Sequence, residues 1–253
     1  RQDNRMQETL DITRSQKPQS LNQEFKLYFT LADDHIFSFE AQHLDQEENP
    51  FSRAIRDRNP FTRLIPFSSS VNKYDVTQER LVQTAKLEAK LDYYYLLNDM
   101  SNINLSLGIT DVKQDFDSSF FQILDSGSLL NFNDPTFNND VNFDFSDAYI
   151  ALNYRLRTGI FTIDPGLTLH YYKTKNTQLG TSFERNISDV RPNLRINLQF
   201  KKSESLRLTY RKNTQFTDIN NLAQGFVFNN YNSIFQGNRA VSYTHLRAHE
   251  TRP

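Results

Sequence analysis

The sequence predicts an all-β chain: an antiparallel up-and-down transmembrane β-barrel, present in part as about eight strands in four hairpins. Three observations carry this. Apolar residues recur at every second position over long stretches. The connections between those stretches alternate between short and long. Hydrophobic residues make up only 37% of 253 residues, yet there are 21 Phe and 12 Tyr. Soluble domains average about 45–50% apolar, so this composition suits elements that bury a single face. No apolar run approaches the ~20 residues of a membrane helix; runs reach only five residues, as at Tyr93 to Leu97. A β-barrel crosses without one.

The strands follow in order. Phe25, Leu27, Phe29 and Leu31 alternate with Glu24, Lys26, Tyr28 and Thr30. Phe37, Phe39 and Ala41 continue after Asp33-Asp34. The clearest strand runs from Leu81 to Leu97, with Leu87, Leu91, Tyr93 and Tyr95 at odd positions and Lys86, Glu88, Lys90 and Asp92 at even ones. Helical spacing at i, i+3, i+4 and i+7 is absent there. Ile103 to Ile109, Ala148 to Leu156, Phe161 to Tyr171, Val190 to Phe200 and Leu206 to Tyr210 repeat the pattern. Four connections are short: Ala32 to Asp34, Asn98 to Met100, Arg157 to Gly159 and Lys202 to Glu204. Asp45 to Gln78, Lys113 to Asn142, Thr174 to Asn186 and Phe216 to Ala240 read as long loops. Tight turns on one side and long loops on the other are the pattern of an outer-membrane barrel. Several strands exceed the nine to eleven residues a crossing needs, so they are expected to project beyond the bilayer.

In a barrel the apolar face meets lipid and the polar face lines a wet lumen. Mid-strand charges are costly in hydrocarbon and tolerable in such an interior. This reading makes Lys86, Glu88, Lys90, Asp92, His170, Arg195, Arg207 and Arg211 lumen-facing. Aromatics near strand ends, among them Tyr93 to Tyr95, Phe143, Phe145, Tyr171 and Tyr172, fit interfacial girdles. The same alternation also describes an ordinary sheet with one buried face; loop sorting favours the barrel.

The charge is −1, from 29 Lys+Arg against 30 Asp+Glu, so a nucleic-acid partner is not expected. Cys is absent, which excludes disulfide scaffolds and thiolate zinc sites. No Ser-His-Asp set, acid pair or Gly-rich phosphate loop stands out, so neither an enzyme nor a cofactor is expected. His35 and His43 read as polar sheet residues. Asn131 to Asp140 is rich in oxygen ligands of the kind Ca²⁺ takes, but it lacks the EF-hand order; turn capping explains it as well, and no metal is assigned. Arg53, Arg56 and Arg58 fall in the long loop after Pro50 and are candidates to contact an anionic substrate.

The segment from Arg191 to Leu222 carries a likeness. Pro192-Asn193-Leu194-Arg195-Ile196 leads through Lys201-Lys202-Ser203 into Leu206-Arg207-Leu208-Thr209-Tyr210-Arg211. Asp218-Ile219-Asn220-Asn221-Leu222 and later Gln236-Gly237-Asn238 follow. This phrasing resembles the barrel of TonB-dependent outer-membrane receptors, although many relatives have Pro where Thr217-Asp218 stand. The resemblance implies the outer membrane of a Gram-negative bacterium and a receptor of about 22 strands around an N-terminal plug. It further implies energised import of a scarce nutrient such as an iron chelate, cobalamin, glycan or peptide. The partners would be outer-membrane lipid, the nutrient ligand, and the TonB complex through a segment upstream of Arg1. Residues 1–22 read as a lead-in and 23–240 as the barrel portion. Residues 241–253, with His245 and His249, break the pattern and resemble translated sequencing adapter. The alternative is a self-contained eight-stranded barrel with an adhesive or structural role.

Overall fold

The computed structural model describes residues 8–59, 61, 64–68, 71–132, 134–216, 219–230, 233–237 and 242–251. Asp218 and Asn238 of the motif lie outside them. The strands are β1 (Leu10–Ser15), β2 (Gln19–Ala32), β3 (His35–Glu48), β4 (Phe51–Arg56), β5 (Tyr74–Asn98), β6 (Ser101–Ile123) and β7 (Leu129–Asn131). They continue as β8 (Asn138–Thr158), β9 (Phe161–Gln178), β10 (Thr181–Lys201), β11 (Glu204–Phe216), β12 (Phe226–Asn230), β13 (Ser233–Gln236) and β14 (Ser242–Thr251). Twelve of them form one sheet, and β12 and β13 pair separately. Every pairing is antiparallel, and the first and last long strands do not pair with each other among the described residues.

Proline explains why the first hairpin appears as four strands. Pro18 lies between β1 and β2, and Pro50 between β3 and β4. Proline has no N–H for the ladder. The register nevertheless runs on: Gln19 faces Glu47 and Ser15 faces Phe51. Likewise Glu48 faces Val82 and Phe51 faces Glu79. The Lys17 N–H donates to Asn49 Oδ1 at 3.0 Å, and the Arg80 N–H to the Pro50 carbonyl at 3.1 Å. Read through these interruptions, the sheet has eight long strands before β14.

At one end the turns are Asp33-Asp34, Asp99-Met100, Gly159-Ile160 and Lys202-Ser203. At the other, residues 57–73, 124–137 and 217–241 are long connections. Thr174 to Asn186 is not a loop. β9 and β10 run through it to a two-residue turn at Leu179-Gly180, whose φ angles of 50° and 71° suit a type I′ hairpin. Residues 242–251 pair with β11, and β1 lies within the segment read as lead-in.

The two faces define a belt. One row of neighbours across the sheet reads Phe39, Leu91, Leu107, Ile150, Leu169 and Val190. These side chains are exposed or nearly so on a sheet face with nothing packed over it. Two residues further along, the row on the same face reads Ala89, Ile109, Ala148 and Tyr171. Two further still, it reads Leu87, Asp111, Ser146, Lys173 and Asn186. On β6, β8, β9 and β10 the apolar belt therefore stops at a common height, while on β5 it runs on through Leu87. Phe161 to Tyr171 measures it: about 33 Å along a strand, or about 25 Å upright at a ~40° tilt, the height of an outer-membrane hydrocarbon band.

Beyond the belt the polarity of the faces inverts. On β6 the outer side changes from Ile103, Leu105, Leu107 and Ile109 to Asp111, Lys113, Asp115 and Asp117. The opposite side changes from Asn102, Asn104 and Ser106 to Phe116 and Phe120, both fully buried. The core sits on that side, outside the bilayer. One cluster joins Ala54, Phe61, Ile65, Val76, Phe120, Phe132, Phe137 and Phe228. A second joins Phe116, Val141, Ile219, Ala223 and Val227.

Candidate functional site

Within the belt region the face opposite the apolar one is polar, and on β5 it is the more sheltered: Asp92 is 3% exposed while its neighbour Leu91 is 40% exposed. The register places Lys86, Glu88, Lys90, Asp92, His170, Arg195, Arg207 and Arg211 on this polar face. Most of its charges are matched. Lys86 meets Glu88 at 2.8 Å, Lys90 meets Asp92 at 2.7 Å, and Arg155 meets Asp164 at 2.6 Å. His170 Nδ1 lies 2.9 Å from Asp147, with its ring stacked on Tyr172 at 5.1 Å. The Arg191 guanidinium lies 5.3 Å from the Tyr172 ring centre and donates to Asp189 at 2.9 Å. Asp189 also accepts from Thr214 at 2.5 Å and from Lys212. The β10–β11 pairing ends with Asn193 opposite Arg211, so Lys212 and Thr214, rather than Arg211, close this cluster.

Side-chain amides cross the wall next to these ions. Ser106 is hydrogen-bonded to Asp92 and lies 3.0 Å from Asn104 Oδ1. Asn153 donates to Asn104 at 3.5 Å, and Asn193 donates to Asn153 at 3.4 Å. The last bond passes over Gly166, where a Cβ would stand 2.2 Å from Asn153 Oδ1. Gly108 is covered in the same way by the Tyr149 ring, 2.3 Å from where a Cβ would be. A strand glycine that admits a neighbouring group is a recognisable signal, though only the structure names the group.

Above the wall, four buried amides hold the connections inward. Gln78 Oε1 accepts from Phe228 N–H at 2.8 Å, and its Nε2 donates to the Phe226 carbonyl at 3.1 Å. Asn139 accepts from Gly225 N–H at 2.7 Å. Gln178 accepts from Gln224 N–H at 3.0 Å and donates to the Leu222 carbonyl at 2.8 Å. Gln122 accepts from Ser68 N–H at 2.8 Å. Each amide mimics a peptide group and satisfies backbone that would be costly to bury unpaired. Residues 219–230 and 233–236 thus fold against the core side of the sheet instead of extending into solvent. Sequence reasoning missed these residues, because polar amides in strands read as ordinary wet positions.

Two site expectations need correction. Arg53 and Arg56 do not lie in a loop; both are on β4. Arg53 donates to Asp75 at 2.9 Å, and that hydrogen bond raises its pKa further. Arg56 is buried and donates to Glu8 at 2.8 Å. Only Arg58 lies past the strand end, in an exposed bend. Phe143 and Phe145 are not girdle residues. Phe145 stacks on buried Tyr172 at 5.9 Å, and Phe143 packs on the second core cluster. In the Asn131 to Asp140 loop, Asp134 caps a short 3₁₀ turn by accepting from Thr136 N–H at 2.8 Å, which lowers its pKa. Asn133 is outside the described residues.

Residues 30–242 match the model of the outer membrane protein beta-barrel family. The chain belongs to that family. Its place is the outer membrane of a Gram-negative bacterium. The siderophore receptor PiuA from Acinetobacter baumannii is similar in fold, with TM-score 0.54 and 12% identity over 79% of this chain and 33% of that one. The ferric citrate transporter FecA gives 0.42 and 12%, over 78% and 36%. The alcaligin receptor FauA from Bordetella pertussis gives 0.31 and 12%, over 83% and 38%. Scores that low carry no weight for the last two. The chain spans about a third of the length of these structures. No curated protein sequence matches it. Family membership accounts for the belt, with lipid taking the place of a packed core against the apolar face.

Proposed function

We propose that this chain is part of the barrel of a TonB-dependent receptor that binds a scarce nutrient outside the cell and imports it. One observation carries the reading: amide-clamped connections pack against the inner side of the sheet above a polar wall. A barrel whose mouth is occupied by packed chain suits gated import, whereas a diffusion pore needs an aqueous channel. In this reading the polar wall, including Lys86, Glu88, Lys90, Asp92, His170, Arg195, Arg207 and Arg211, lines the lumen. Contact with TonB belongs to a part of the receptor outside this chain, and no step is catalytic.

The test is uptake by cells carrying the full-length receptor, limited in turn for iron chelate, cobalamin, glycan and peptide. Growth on one of these should require the receptor, TonB and the proton-motive force together. Entry that persists without TonB and without energy would overturn the proposal.

A further inference from the structure

We infer that Lys113, Lys173 and Lys175 dock the phosphate groups of a phosphorylated glycolipid in the outer leaflet of the membrane. The outward side chains just above the apolar belt are graded by height. On β6, β8, β9 and β10 the first row above it reads Asp111, Ser146, Lys173 and Asn186, and the second reads Lys113, Asp144, Lys175 and Glu184. Higher on the same four strands the charged outward side chains are Asp115, Asp117 and Asp140, with no lysine or arginine among the described residues. Two residues advance a strand by about 6.6 Å, or about 5 Å upright at a ~40° tilt. The lysine rows therefore stand about 5 and about 10 Å above the hydrocarbon edge, and their flexible stems let the ammonium groups reach back toward it. Lipid headgroups occupy about 5–8 Å on each side of the hydrocarbon. Lysine is thus confined to the depth of the lipid phosphates, and acids alone stand above it.

Two features name the occupant. The charged collar belongs to one leaflet only. At the end with the short turns the same face stays apolar up to the turns, through Leu97, Leu156, Phe161 and Phe200. The long connections mark the collar's end as the extracellular one, and there it continues the lipid-facing belt. The second row also alternates in sign across the sheet: Lys113, Asp144, Lys175, Glu184, with Lys175 3.7 Å from Glu184. A bare lipid phosphate engages the lysines and is repelled by the acids. A phosphorylated sugar engages both, because ammonium groups donate to phosphate while carboxylates accept from hydroxyls. Lys113 and Lys173 are exposed on the outward side, within reach of such a headgroup. This inference rests on the place of the family in the outer membrane and is independent of import.

The experiment titrates the full-length protein in detergent with three lipids, read by native mass spectrometry: bis-phosphorylated lipid A, the same glycolipid without its phosphates, and phosphatidic acid. Lipid A should bind saturably and at least about fivefold more tightly than either of the others, the scale of one lysine beside an anionic leaflet. Lys113→Gln/Lys173→Gln should lose at least about fivefold in affinity for lipid A. Lys113→Arg/Lys173→Arg should keep that affinity, and Asp115→Asn should not weaken it. Binding should survive EDTA. Equal binding of the dephosphorylated glycolipid, equal binding of phosphatidic acid, or full affinity in the glutamine variant overturns the inference. So does loss of binding in EDTA, which would show divalent cations on the acidic side chains making the contact instead. The comparison of lipids uses unaltered protein, so it decides the outcome even where a variant does not fold. Saturable binding of lipid A by a protein that imports nothing would count against the receptor reading and leave this one standing.

Discussion

Gln78 on β5 accepts the backbone N–H of Phe228 at 2.8 Å, joining residues 150 positions apart. Its side chain is fully buried. The Gln78→Ala variant leaves that N–H unpaired, at a cost of about 1–3 kcal/mol. The loss should be local. Hydrogen exchange at the Phe228 amide should accelerate and residues 219–237 should become open to protease, with the strands of the belt unchanged. Retained protection at Phe228 would show that the aromatic cluster alone holds the segment.

The belt has a sharp edge, which a pair of arginine variants can locate. Leu107→Arg puts charge into hydrocarbon one row below the belt's edge and should cost about 2 kcal/mol in bilayer folding, the low end of the midplane range. Asp111→Arg, on the same face four residues further along, should cost no more than about 1 kcal/mol. Folding yield of the full-length receptor into lipid vesicles separates the two, and equal losses would place the edge elsewhere.

Gly166→Ala brings a methyl group into the bond between Asn153 and Asn193. The expected destabilisation is about 1–3 kcal/mol by denaturant titration. Adding Asn153→Ala removes the closest contact and frees the Asn193 amide, which stands 2.5 Å from the added carbon, to swing aside, so the two changes together should cost less than their sum. Strict additivity would mean that the ladder tolerates the methyl group.

Asp117, above the belt, has its pKa raised, first by loss of hydration and then by Asp140 and Asp115. Asp140 is its direct cross-strand partner. A carboxyl that holds its proton more tightly when folded favours the native state below the unfolded pKa of about 4. That contribution is lost as pH rises through the raised folded value. Stability should therefore fall with rising pH in this window, and Asp117→Asn should flatten the slope and stabilise the protein at neutral pH. A variant whose pH profile matches the parent would exclude Asp117 as the cause.

Sequence alone revealed the belt because lipid and lumen impose opposite preferences on alternate residues. Leu81 to Leu97 shows this most clearly. Strand beyond the belt was hidden by the same rule. In Thr174 to Asn186 the outer side carries Lys175 and Glu184 and the other side Asn176 and Gln178, so both faces are polar and the period disappears. Around Phe116 and Phe120 the period survives with its phase reversed, which looks like noise unless the reversal is anticipated. Pro50 concealed β4 by breaking the ladder without breaking the register. The amide clamps have no local signature, since their partners lie far away in sequence.

The reversal of polarity at Ile109, Ala148 and Tyr171 has a consequence for strand assembly. In a uniformly alternating sheet, sliding one strand by two residues keeps every side chain on its proper face and meets little resistance. Here such a slide would bring Asp111 level with hydrocarbon on β6 or pull Tyr171 into water on β9. The chain therefore carries a vertical ruler in addition to an inside–outside code. Neighbouring strands can agree on only one height, and the bilayer itself acts as the gauge that proofreads their alignment.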